Sequence, residues 1–235
     1  MLERREVMLY IRRIIQFLDS LMENATLLPL TPRKSPRQER AIATVDAIFE
    51  ATIQVLLSDG LIRLNTTRVA RRAGVSVGTL YQYYPNKQAL LFAVLERHLV
   101  VLAGAIERAC DENLNARAEE LAEAVVKAYL QAQIAQAELS PALYRIALEL
   151  DARALIDIAT RRSVTAIGAA LSSASDVQFG DPHLVAQTLT AALYGTVPAF
   201  CHRVLAPADG REAEKQLTIM FRSYLAAHQS GVSGS

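Results

Sequence analysis

The sequence predicts an all-α protein: a small three-helix domain, then a larger helical bundle, with one extra helix ahead of both. Three observations predict it. Apolar residues recur at intervals of three and four through most of the 235-residue chain. Stretches that alternate with period two are few, and β-branched runs are scarce. Prolines, glycines and polar caps cut the periodic stretches into helix-sized pieces.

The first piece is residues 1–22, where Val7, Ile11, Ile14, Leu18 and Leu21 form one apolar stripe. A linker with three prolines, Leu28 to Pro36, separates it from the rest of the chain. The next helix has Ser35 as cap, Pro36 at its first position and Gln38 placed as in a capping box. Ile42, Val45, Phe49, Ile53 and Leu56 line its inner face, and Gly60 ends it. A short helix then spans Thr66 to Ala73, with a Thr cap and Gly74 as stop. Another runs from Val77 to Tyr84, capped by Ser76 and closed by Pro85. Asn86 caps a long helix toward Cys110. Further helices are expected near 115–137, 141–150, 153–174, 182–206 and 211–228, with a kink at Gly195 and Pro198 in the fourth of these. The domains are therefore 1–30, extension and linker; 31–96, the three-helix domain; and 97–235, the bundle.

Composition narrows the function. With 51% apolar and 21% charged residues the chain is globular. Cys110 and Cys201 lie far apart and make no disulfide framework, which fits the cytoplasm. No stretch reads as a membrane span or a secretory signal: the uncharged run Pro182–His202 is too polar, and Arg12 and Arg13 interrupt the N-terminal apolar part. The formal net charge is +1, unevenly spread. Residues 31–87 hold nine basic and four acidic residues, whereas residues 88–235 hold twelve and sixteen. From Leu61 to Lys87 there are five basic residues and no acid, which suits binding to a polyanion.

The basic stretch is Thr66-Thr-Arg-Val-Ala-Arg-Arg-Ala-Gly-Val-Ser-Val-Gly-Thr-Leu-Tyr-Gln-Tyr-Tyr-Pro-Asn-Lys87. Two short helices meet at Ala73-Gly74-Val75-Ser76, which is helix-turn-helix spacing. The second helix of such a pair lies in the DNA major groove. From about Arg40 to Glu96 the chain resembles the DNA-binding domain of the TetR/AcrR family of transcriptional regulators. The resemblance rests on Thr66-Thr67, Val69-Ala70, Ala73 to Ser76, Gly78 to Tyr81, Tyr84 and Asn86-Lys87. The helix over 1–22 departs from the usual family start, and Met22 would open an ordinary short arm.

The resemblance, combined with side-chain chemistry, implies the roles. Val77, Gly78 and Thr79 open the recognition helix; Gly78 lets the backbone approach DNA, and Thr79 bonds a base edge or phosphate. Tyr81 and Gln82 are the base-contact candidates. Thr67, Tyr83 and Lys87 hold phosphates, and Arg33, Lys34 and Arg37 form an arm on the backbone or minor groove. Leu80 and Tyr84 pack inward. The resemblance further implies a homodimer, with helices near 182–206 and 211–228 as the interface and Leu193 within it. It also implies a small-molecule effector cavity within 115–174. Its candidate polar wall is Tyr129, Tyr144, Arg145, Glu149, Arg162 and Tyr194.

No catalytic residues and no cofactor are expected: phosphate loops, dinucleotide glycines, nucleophile elbows and paired zinc motifs are all missing. No metal site is expected from His98, His183, His202 and His228, or from Cys110; the neighbours Cys201 and His202 stay open. The expected function is a ligand-responsive regulator, a repressor, on a near-palindromic operator in double-stranded DNA. The alternative is a helical adaptor or membrane-surface protein using helix 1–22, against which Glu3, Glu6, Asp19 and Glu23 weigh. Membrane is therefore not an expected partner.

Overall fold

The computed structural model describes residues 39–197 and 210–230. The expected helix 1–22, its linker, the Ser35 cap, the basic arm 33–37 and the pair Cys201–His202 lie outside the described residues. The helices within them are α1 Glu39–Arg63, α2 Thr66–Ala73, α3 Val77–Tyr83, α4 Lys87–Glu112, α5 Ala118–Ile134, α6 Ser140–Glu149, α7 Arg153–Ser172, α8 Pro182–Gly195 and α9 Gly210–Ala227. The chain is therefore all-α among its described residues, except for one pairing that no periodicity announced. Strands β1 Gln178–Phe179 and β2 Gln229–Ser230 pair antiparallel and tie the α7–α8 loop to the end of α9.

Helix boundaries obey local chemistry. Gly60 takes φ 75° and ψ 168°, so α1 breaks there before one more turn. The cap of α2 is Asn65 and not a threonine: its Oδ1 accepts the Arg68 N–H at 2.9 Å. Thr66 is instead buried inside the first turn. Asn86 caps α4 as expected, accepting from Ala89 N at 2.7 Å. Asp181 caps α8 with Pro182 at its first position, and the helix ends at Gly195; the expected kink partner Pro198 lies outside the described residues.

Two cores share α4. The first joins Ile48, Val55, Val69, Leu80 and Tyr84 of the α1–α3 region to Leu90, Val94 and Leu99 of α4. It continues into Leu143 and Ile146 of α6 and Leu155 and Ala159 of α7. The second joins Leu102 and Ile106 of α4 to Val126, Tyr129 and Leu130 of α5, Ile167 of α7, Leu189 and Leu193 of α8, and Phe221 of α9. The side chains of the three-helix domain are thus packed through one continuous core into the start of α7.

Cross-links fix the bundle. His98 Nδ1 and Gln136 Oε1 lie 2.7 Å apart, joining α4 to the turn after α5. Arg162 on α7 grips Glu107 on α4 at 2.7 and 2.5 Å. Ser163 meets the Tyr194 hydroxyl at 3.3 Å, setting α8 on α7. Arg222 on α9 pairs with Glu119 at 2.9 Å and with Glu123, holding α9 on α5.

The packing accounts for two long apolar helices and corrects one expectation from the sequence. Ala41–Arg63 and Lys87–Glu112 are long and apolar enough to cross a bilayer by length and composition. In the fold the apolar residues of Lys87–Glu112 are mostly taken up by the two cores, whereas Ala41–Arg63 buries Ile48, Phe49, Val55, Leu56 and Leu61 in the first core and leaves Leu57 and Ile62 exposed. Leu193, expected at a subunit interface, is 0% exposed within the single chain and belongs to its own core.

Candidate nucleic-acid interface

The turn between α2 and α3 is built from three backbone choices. Gly74 sits at φ 69° and ψ 24°, a left-handed position that suits only a residue without Cβ strain. The Val75 N–H then bonds Ala70 O at 3.0 Å. Ser76 caps α3, its Oγ accepting from Thr79 N at 2.9 Å. Beneath α3, Leu80 is 0% and Tyr84 2% exposed, and Tyr84 stands edge-on to Phe49 at 6.1 Å. These two anchors turn the opposite face of α3 outward, as expected of them.

That outer face carries Gly78, Tyr81 and Gln82, all exposed, with Val77, Thr79 and Tyr83 half-buried beside them. The structure therefore turns Gly78, Tyr81 and Gln82 outward, while Val77 and Tyr83 pack partly against the first core. Thr67 is exposed in the first turn of α2, where unpaired N–H groups favour an anion. Several groups are already engaged. The Tyr81 hydroxyl meets Thr66 Oγ1 at 3.0 Å, and Thr79 Oγ1 meets Ser76 Oγ at 2.8 Å. Lys87 Nζ donates to Leu61 O at 3.1 Å, bracing the turn after Gly60. Arg68 pairs with Asp59 at 2.5 Å, and Arg72 Nε donates to Gln54 Oε1 at 2.8 Å. Hydrogen bonds from Ser58 and then Arg68 hold the Asp59 carboxyl below its usual range. Two of the basic residues thus brace α2 on α1.

The expected effector wall is dispersed. Tyr129 is 0% exposed, and its ring lies 5.6 Å from that of Tyr194 in the second core. Arg145 and Glu149 pair at 3.5 Å on the outer face of α6, each 54% exposed, so neither lines an interior. Tyr144, on the same helix, is half-buried. The described space is instead a narrow crevice of about 10 Å³ between α4 and α7. Glu96, Leu99, Val100, Leu155, Ile158, Ala159 and Arg162 line it; of the six wall residues expected, Arg162 alone touches it.

Three polar residues not anticipated from the sequence stand out. Gln133 and Thr190 are buried in the bundle, and neither side chain has a hydrogen-bond partner among the described residues. Glu96 is the third. Its spacing gave a signal: Phe92, Leu99 and Val100 surround it at i−4, i+3 and i+4, an apolar face for an acid. Burial alone lifts its carboxyl to about 7 from the ordinary 4.5. A raised acid pKa means the stability is complete below about 4.5 and falls as pH rises through about 7. Glu96→Gln should therefore raise the urea midpoint at pH 8 and not at pH 5. The gain should be on the order of 2 kcal/mol, the crevice being open to solvent. His98, whose pKa burial lowers, loses stability as pH falls below about 6.5, and it does so equally in both proteins. An unchanged midpoint at pH 8 would show that Glu96 is well solvated.

Known proteins share both halves of this arrangement. Residues 48–94 match the model for bacterial regulatory proteins of the tetR family, and residues 118–225 match that for a tetracyclin repressor-like C-terminal domain. Nucleoid occlusion factor SlmA of Actinobacillus pleuropneumoniae is 34% identical over 116 residues, 49% of this chain and 52% of that protein. The chain thus spans about half the length of this relative. The HTH-type transcriptional repressor DrrR1 of Streptomyces coeruleorubidus is 36% identical over 67 residues, covering 28% and 25% of the two chains. Among solved structures, the repressor AlkX of Dietzia sp. superposes with a TM-score of 0.55 at 23% identity, over 79% of this chain and 98% of AlkX. A Mesorhizobium loti protein gives 0.60 at 19% identity, over 82% and 100%. At these identities the structures share the fold.

Proposed function

The chain belongs to the TetR family of bacterial regulatory proteins, and from that premise we propose that it is a homodimeric repressor released from DNA by a small molecule. The observation that carries this reading is the outer face of α3. Gly78, Tyr81 and Gln82 stand exposed over the buried anchors Leu80 and Tyr84, between two capped turns. In a twofold dimer two such helices enter successive major grooves about 34–36 Å apart, which calls for a near-palindromic operator. Exposed apolar residues support α8 and α9 as the interface: Leu184 is 55%, Ile219 48% and Met220 43% exposed. The protein acts in the cytoplasm as a binding protein and carries out no catalysis.

Gly78 gives the sharpest test. A Cβ built there meets only Ser76 Oγ, at 3.6 Å, which is ordinary contact. Gly78→Ala should therefore fold normally and gain about 0.5–1 kcal/mol of helix stability. On DNA the same methyl would hold the backbone off, so operator affinity should fall at least tenfold. Gln82→Ala should relax base preference at a cost of about 1–3 kcal/mol. Lys87→Ala should weaken binding to all sequences alike and lower the salt slope by about one. Gel-shift titration on operator and random duplexes at several salt concentrations reads all three. Unchanged affinity in Gly78→Ala would remove α3 from the interface.

The curated relatives favour a second reading, since SlmA is named a nucleoid occlusion factor. In that reading the bound DNA marks the nucleoid and no gene is controlled. Genome-wide occupancy measured with transcript levels separates the two.

A further inference from the structure

We propose that Thr66 is a positioning residue for DNA binding: it acts through Tyr81, holding that hydroxyl at the start of α2 with its proton free for an acceptor on DNA. This rests on the regulator reading above and concerns the same reading face. Thr66 is the first residue of α2, but its hydroxyl does not cap the helix, since Asn65 does. It turns inward instead, at 9% exposure, and meets the Tyr81 hydroxyl of α3 at 3.0 Å. Tyr81 is 39% exposed. Among the described residues the Thr66 hydroxyl has no other hydrogen-bond partner. Each hydroxyl carries one proton. Were Tyr81 the donor, the Thr66 proton would be left in a buried place without an acceptor, which is costly. With Thr66 as donor that proton is used, and the proton left over belongs to the exposed partner. The Tyr81 hydroxyl then offers its proton outward, and the bond it accepts makes it a better donor.

Thr66 can hold Tyr81 because α2 is itself held. Arg68 pairs with Asp59 at 2.5 Å and Arg72 donates to Gln54 at 2.8 Å, both tying α2 to α1. By contrast α3 has seven residues and little stability of its own. The Ser76 cap and the packing of Tyr84 on Phe49 set its two ends. The Thr66–Tyr81 bond sets an outward side chain between them. A tyrosine ordered before DNA arrives loses less freedom on binding. The acceptor it meets is a phosphate oxygen beside the first turn of α2, where unpaired N–H groups favour an anion, or an acceptor at a base edge.

The test is a double-mutant cycle read by gel shift with the full chain on two probes: the duplex that the chain selects from a random pool, and an unselected duplex of the same length. Tyr81→Phe should weaken binding of the selected duplex about tenfold, the loss expected for one hydrogen bond. Thr66→Val keeps the shape and removes the hydroxyl. It should cost about fivefold alone and less than about twofold in a Tyr81→Phe background, because its effect passes through the tyrosine hydroxyl. Thr66→Ser, which restores the hydroxyl, should bind within about twofold of the unsubstituted chain. Thermal midpoints of all variants should stay within about 2–4 °C of that chain, since the exposed Tyr81 hydroxyl can bond to water when its partner is gone. Equal losses on both probes mark the acceptor as phosphate, and a loss confined to the selected duplex marks it as a base edge. Additive losses in the double variant, no loss in Thr66→Val, or no rescue by Thr66→Ser would each overturn the positioning role. So would an affinity loss in Thr66→Val that only follows a fallen midpoint, which is what a packing role predicts. Those failures leave the regulator reading standing, because the unsubstituted chain still selects a duplex. A chain that selects none overturns that reading, and the role of Thr66 with it.

Discussion

Leu193→Glu should unfold the bundle rather than separate two subunits. Leu193 is 0% exposed and packs in the second core with residues of α4, α5, α7 and α9. Removing a buried leucine costs about 2–5 kcal/mol, and an unpaired buried carboxylate adds several more. The sum reaches into the ~5–15 kcal/mol that holds a typical domain folded. Circular dichroism should show lost helix, and soluble yield should collapse. Leu184→Glu and Ile219→Glu give the contrast. Both positions are about half exposed in the single chain, so each should change monomer stability by less than about 0.5 kcal/mol. Placed in an apolar dimer interface, either charge should convert dimer to folded monomer in sedimentation. A Leu193→Glu protein that stays folded would contradict the packing; folded dimers of both other variants would move the interface elsewhere.

Leu80→Ala should disable the DNA-reading face without touching it. Leu80 is 0% exposed and sits between Thr79 and Tyr81, with Val69, Ala70 and Tyr84 in the same core. Truncation leaves a cavity under a helix of seven residues, at a cost of about 2–5 kcal/mol. So short a helix has little stability of its own and keeps its place by packing. Operator affinity should therefore fall together with the thermal midpoint. Leu80→Met, close in volume, should cost less than about 1.5 kcal/mol and keep most of the affinity. Loss of DNA binding at an unchanged midpoint in Leu80→Ala would mean that Leu80 touches DNA directly.

The fold was largely legible because its signals are local. Ser76, Gly74 and Asn86 name their own helix ends, and the apolar stripes of α1 and α4 name their buried faces. What failed were choices made by tertiary contact. Asn65, Thr66 and Thr67 are all competent caps. Asn65 takes the role because Thr66 is drawn inward to meet Tyr81 at 3.0 Å. The β1–β2 pair is two residues long on each side, too short for any period to mark. Which side chains of α3 lie outward was legible because one turn of helix fixes which of them share a surface. The effector wall was not, since residue type alone suggested it. Arg145 and Glu149 stand four apart, the spacing of a solvent-facing pair, and that is how they lie. Glu96 is the opposite case: an acid whose place on the apolar stripe of its helix marks the position as inward.

Whether α3 reads a specific, twofold-symmetric DNA sequence is tested most directly by selecting bound duplexes from a random pool. The selection uses the full chain and is repeated with Gln82→Ala. The expected result is a near-palindromic consensus whose half-sites lie one helical turn apart. In Gln82→Ala the preference should relax at one position in each half-site while affinity for random DNA stays the same. A pool that never enriches, or a consensus identical for both proteins, would contradict the assignment of α3 as the reader.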